Sequence, residues 1–221
     1  MVVSKHFLNA LNTPQAPNLP LAPKEYVAMY QEQLNNVLRL YFNQITNELA
    51  ALTGNLGARY LQLPYGAFSD STSQVAANTT TAYVITFDTT ELNGHGVSLS
   101  NSSQLTAEYT GIYNLQYSIQ FANSDVADAD VDVWLRLNGT TEIPRTNSIY
   151  SVPAKHGAIE GHTIAAVNIF VALTAGDYVE LVWHTDHVNT FIEAHTAAVS
   201  PTIPATPSVI LTLTFVAAKF A

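Results

Sequence analysis

The stretch Gly111–Phe121, GIYNLQYSIQF, decides how the rest of the chain is read. Tyr113, Leu115, Tyr117, Ile119 and Phe121 alternate with Asn114, Gln116, Ser118 and Gln120, the period of two of a strand whose successive side chains point to opposite faces. One face is aromatic and aliphatic and the other is polar, so the strand is half buried. The same pattern recurs downstream. Val131, Val133, Leu135 and Leu137 alternate with Asp132, Trp134, Arg136 and Asn138, and Asn138-Gly139 then supplies the positive-φ residues of a tight hairpin. AAVNIFVALT (165–174) is apolar on both faces, Ala175-Gly176-Asp177 turns the chain, and YVELVWHT (178–185) is a further strand. PSVILTLTFVA (207–217) closes the series. Runs spaced by roughly 8 to 14 residues predict a mainly β fold, a two-sheet antiparallel sandwich of jelly-roll type.

Two other segments precede this head, which is read as residues 58–221. Pro14, Pro17, Pro20 and Pro23 recur every third residue; each fixes its own φ and biases its predecessor to extended backbone, so residues 1–23 read as an extended anchoring arm. An arm of this kind has no core of its own and needs something to hold it. Residues 24–57 read as one long helix, with Glu25 in its first turn and Gly54 and Gly57 at its end. Val27, Tyr30, Leu34, Leu38, Tyr41, Ile45, Leu49, Leu52 and Leu56 follow at steps of three and four in an eleven-residue rhythm, which keeps an apolar stripe nearly straight along the helix. Lone helices are marginal in water, so the stripe is expected to be covered, either by copies of itself in a trimeric stalk or by its own head.

Composition narrows the possible functions. Of the 221 residues 48% are hydrophobic and only 11% charged, a surface poor in charge that suits contact with another surface. Between Tyr60 and Val216 three cations, Arg136, Arg145 and Lys155, face 14 acids, a balance of −11. Nucleic acid is therefore not an expected partner, since phosphate binding rests on clustered Lys and Arg. The absence of cysteine removes disulfides, thiolate metal sites and a cysteine nucleophile. No apolar run approaches the roughly 20 residues that span a bilayer, and the N-terminus lacks the apolar core of a signal peptide, so a soluble chain without membrane insertion is expected.

The order of motifs from YGAFSDS (65–71) through GIYNLQYSIQF, VDVWLRLNGTTEIP (131–144) and AAVNIFVALTAGDYVELVW to SVILTLTFV resembles the jelly-roll head shared by the complement first component and tumour necrosis factor, over residues 64–217. The resemblance implies a homotrimer with one sheet of each subunit facing the threefold axis, and it brings no catalytic residues and no cofactor. Arm, helical stalk and head together look like bacteriophage virion appendages, capsid decoration proteins or short tail fibres, in which the arm docks on capsid or tail proteins and the head points outward. That implies a non-enzymatic protein at the virion surface, for capsid stabilisation or attachment to a host-surface glycan or protein. The alternative is a secreted or surface carbohydrate-binding jelly-roll module.

Candidate contact residues on the head are Trp134, His184 and His187. Trp134 shares a strand face with Asp132 and Arg136, so it is an inter-subunit contact, a core residue against the second sheet, or a stacking platform for a ligand. His184, Asp186, His187, Glu193 and His195 crowd into WHTDHVNTFIEAH (183–195). Residues two apart share a strand face, so His184 can meet Asp186 and Glu193 can meet His195, either around a divalent metal or as a polar contact surface at the tip of the head. Asp125, Asp128, Asp130 and Asp132 lack the glycine of a calcium loop and read as a solvated approach to a strand.

Overall fold

A computed structural model describes residues 16–19, 21, 23–53 and 63–218. The chain divides into two units, Met1–Gln62 and Leu63–Ala221. In the first, residues 16–19, 21 and 23 form neither helix nor strand, which includes Pro17 and Pro23; Pro14 and Pro20 lie outside the described residues, as do Gly54, Leu56 and Gly57. The helix α1 spans Ala28–Thr53, so it starts four residues later than Lys24 and is correspondingly shorter than the sequence reading. A bend at Lys24-Glu25 separates it from Pro23, and Val27 becomes the N-cap, its carbonyl accepting the Gln31 N–H at 3.2 Å. Residues 24–27 offer no Ser, Thr, Asp or Asn to cap the free N–H groups, and Tyr26 and Val27 are poorer helix formers than Ala28 and Met29. Glu25 accordingly sits ahead of the first turn, which contains no acid. At about 1.5 Å per residue α1 is about 39 Å long.

The second unit is built from two seven-stranded sheets. The first contains β1 (Tyr65–Asp70), β2 (Gln74–Val75), β4 (Thr89–His95), β7 (Gly111–Asn123), β11 (Gly161–Leu173), β13 (Thr190–Ile192) and β16 (Val209–Ala217). The second contains β3 (Tyr83–Val84), β5 (Val97–Ser100), β6 (Gln104–Ala107), β8 (Ala129–Leu137), β9 (Thr141–Glu142), β10 (Ser148–Val152) and β12 (Tyr178–Thr185). A separate ribbon pairs β14 (Ala198–Val199) with β15 (Thr202–Ile203). Every ladder between these strands is antiparallel. In the first sheet the order is β11-β7-β16-β1-β4, with β13 continuing along β7 beyond the end of β16 and carrying β2. In the second it is β10-β8-β12-β6-β5, with β9 on β8 and β3 on β12.

The alternation in β7 positions the core as the sequence requires. Tyr113, Leu115, Tyr117, Ile119 and Phe121 are all buried and join Val131, Val133 and Leu135 of β8 and Val179, Leu181 and Trp183 of β12 in one cluster between the sheets. The Phe121 and Trp183 rings lie 5.7 Å apart across that interface. Each such side chain contributes roughly 1.5–3 kcal/mol by leaving water. Asn138 and Gly139 take φ of 50° and 70°, the conformation expected of their turn. Asn138 also ties two turns together: its Nδ2–H₂ donates to Asp177 Oδ1 at 2.8 Å and its Oδ1 accepts the Tyr178 N–H at 3.0 Å.

Candidate functional site

Three surfaces carry the residues singled out by the sequence. The first is the outer face of the β11-β7-β16 sheet. Register places Phe170, Asn114 and Thr214 side by side, then Asn168, Gln116 and Thr212, then Ala166, Ser118 and Ile210. The outward positions of these three strands include no Asp, Glu, Lys or Arg. Ile164 and Phe170 of β11 are 61% and 63% exposed, so the strand that reads as apolar on both faces has one face against the core and the other uncovered. Asn114 adds a buried Oδ1 without a hydrogen-bond partner in the middle of this face. The outer face of the other sheet is chemically different, with Asp132, Trp134 and Arg136 on β8 beside Glu142.

The second surface is the stripe on α1. None of its eight described members is buried: Tyr30, Leu34, Leu38, Tyr41 and Ile45 are half-buried, and Val27, Leu49 and Leu52 are exposed. Met29, Leu40 and Phe42 beside the stripe are exposed as well. A helix with this much uncovered apolar area is not stable by its own hydrogen bonds.

The third is the outer face of the β8-β12 pair, which carries Trp134 and His184, with His187 in the segment that follows β12. Register sets His184 opposite Asp132 and Val182 opposite Trp134. Trp134 is half-buried on this outer face and is not part of the core between the sheets. Its indole N–H donates to Glu142, whose carboxylate also receives Arg136 Nε at 2.9 Å. Glu142 is therefore clamped between the two side chains. His184 Nε2 meets the Thr79 carbonyl at 2.9 Å, and its Nδ1 stands 3.7 Å from Asp132 Oδ2. His187 Nδ1 is 2.8 Å from Asp186 Oδ1. That hydrogen bond raises the imidazole pKa against its partial desolvation, helped by the charges of Asp186, Asp125 and Asp130. Burial pushes Asp186 up, but hydrogen bonds from His187 and from the Asp130 N–H outweigh it and leave the carboxyl below its usual range.

The histidine-rich segment is thus divided. β12 ends at Thr185, so His184 turns from the strand to Thr79 and Asp132 rather than to Asp186, while His187, beyond the strand, takes Asp186. Glu193 and His195 do meet, with His195 Nε2 3.1 Å from Glu193 Oε2. His162 and Glu160, which the sequence reading did not associate with this segment, join them from the start of β11. The four aspartates of residues 125–132 do not converge. Asp125 accepts from Asn189, Asp128 from the Ala154 N–H, and Asp132 from Asn147, while the Asp130 N–H is held by Asp186. No protein-family model matches this chain, and no curated protein is similar to it.

Proposed function

We propose that the chain is a bacteriophage virion structural protein, a homotrimeric surface appendage anchored by its N-terminal arm, with a jelly-roll head that stabilises the capsid or attaches to a host. The observation that carries the reading is the pair of uncovered, charge-free surfaces in one chain, the α1 stripe and the outer face of β11-β7-β16. The stripe is too apolar to be left in water, and the sheet face, uncharged and carrying exposed Ile164, Phe170 and Ile210 among Asn, Gln, Ser and Thr, is regular enough to be matched by a copy of itself. A trimer covers both at once, as a three-helix stalk and as sheets around a threefold axis.

The jelly-roll reading is supported by nesting of the strand pairs. Taking β1, β6, β7, β8, β10, β11, β12 and β16 in chain order, the first pairs with the last, the second with the seventh, the third with the sixth and the fourth with the fifth. One long antiparallel hairpin rolled so that alternate pairs fall into opposite sheets produces this pattern. Display on a particle follows from division of labour: three weak contacts on a rigid trimer gain avidity when geometry lets them engage together. The carbohydrate-binding alternative draws no support from Trp134, whose ring is half-buried and whose N–H is engaged by Glu142.

Deleting residues 1–23 tests the appendage reading. The expected outcome is a trimeric protein of unchanged fold that no longer incorporates into particles; a truncated chain that still assembles onto virions refutes the anchor.

A further inference from the structure

The end of β7 gathers four metal-ligating side chains from its two edges. On one edge His162 of β11 is opposite Ala122 and Gly161 is opposite Asn123; on the other, Phe191 and Thr190 of β13 face the same two residues. Glu160 and His162 thus approach from one side, and Glu193 and His195, which follow β13, from the other. The scaffold is held closely on both sides. The Glu193 N–H donates to the Gln120 carbonyl at 2.8 Å, and His195 exchanges backbone hydrogen bonds of 2.9 Å with Thr206. At Gly161 a Cβ would come within 1.8 Å of the Pro153 carbonyl oxygen, so only glycine lets the chain pass between Glu160 and His162 here.

One ligand atom each from Glu160, His162 and Glu193 lies within 4.8 Å of the others. Glu193 Oε2 stands 3.4 Å from His162 Nδ1, and His195, outside this triple, brings its Nε2 to 3.1 Å from the same oxygen. That oxygen is buried, yet no donor makes a hydrogen bond to it. A buried carboxylate oxygen without a partner is costly, and native structures retain one only where something compensates it. Two imidazole nitrogens approach Glu193 Oε2 at these distances without hydrogen-bond geometry.

We propose that Glu160, His162 and Glu193 form a zinc site, with His195 beside it against Glu193. Ligands about 2.0–2.1 Å from a tetrahedral ion stand about 3.3 Å from one another, close to the 3.4 Å between His162 Nδ1 and Glu193 Oε2. Nitrogen and carboxylate donors together suit Zn²⁺, whereas Ca²⁺ takes six to eight oxygens and Mg²⁺ keeps most of its water. Two carboxylates balance the ion's charge within a head that is strongly acidic overall. Bound there, zinc ties the segment after β13 to the start of β11, fastening both edges of β7. Three protein ligands leave the fourth position of a tetrahedral ion to water. The proposal does not depend on the oligomeric reading above.

The test uses the full chain, stripped with a chelator and titrated calorimetrically with zinc chloride. The expected result is one equivalent bound per chain and a raised thermal midpoint that the chelator reverses. Cobalt should give the intense visible bands of a tetrahedral site. His162→Ala is expected to weaken zinc binding at least tenfold, with unchanged far-UV circular dichroism because its side chain is about half exposed. His187→Ala, as a control, should bind like the parent. Absence of stoichiometric zinc binding overturns the proposal, as does parental affinity in folded His162→Ala or an equal loss in His187→Ala.

Discussion

Replacing Phe170 by Ser separates the stability of the subunit from its association. Phe170 lies on the outer face of β11 and is 63% exposed, so the folded subunit loses little when it is shortened, within about 0.5 kcal/mol. A Phe side chain presents roughly 200 Å², of which about 125 Å² is then open to solvent and available for burial in a trimer. At about 25 cal/mol per Å² its coverage stabilises the assembly by about 3 kcal/mol per subunit, or about 9 kcal/mol per trimer. That is between six and seven decades in the dissociation constant, at about 1.4 kcal/mol per decade. The concentration of half-dissociation scales as the square root of this constant, so it rises by about three decades. Light scattering across a dilution series, in enough urea to bring the parent's dissociation into range, reads the shift, and circular dichroism checks that the monomer is intact. Superimposable curves for parent and variant refute the reasoning, because the uncovered face would then not be an interface.

Replacing Leu38 and Ile45 together by Asp puts charge on the middle of the α1 stripe; the expected outcome is loss of the helical circular dichroism signal with the β signal retained, and undiminished helicity would show that the stripe is not what holds the helix. Stability is also expected to fall in acid. Hydrogen bonds led by Ser71 for Asp88, Asn189 for Asp125 and Asn138 for Asp177 hold these carboxyls below their ordinary value, as does the His187 contact for Asp186. A depressed pKa in the folded chain contributes stability that is present above the unfolded value, about 4, and is lost as pH falls through the folded value. The urea midpoint should drop between pH 5 and pH 3, less steeply in Asp177→Asn, and a midpoint independent of pH over that range contradicts it.

The parts of the fold that were legible in the sequence are those whose pattern is local. The alternation in residues 111–121 names the buried side of β7 because a strand's period leaves no other assignment, and Asn138-Gly139 marks a turn because those residues accept positive φ. The apolar run 165–174 was less complete a guide: it shows that both faces of β11 are oily, but only the pairing reveals that the strand is an edge whose second face this chain leaves open. The helix start was misplaced because proline permits a first turn without creating one, and no capping side chain follows it. The histidine segment misled in a different way. Residues 183–195 are close in sequence but pass from β12 in one sheet to β13 in the other, so His184 and His195 end on different faces of the head. The partners of Glu193 and His195 come instead from Glu160 and His162, across β7, and no short-range spacing encodes that meeting.

Threefold self-association is measured most directly by the molar mass of the intact chain in solution at native dilution. Multi-angle light scattering should return about 72 kDa, three times the 24.0 kDa of one chain. A mass of 24.0 kDa with a folded circular dichroism spectrum would contradict the account, since the α1 stripe and the outer face of β11 would then lie open in water.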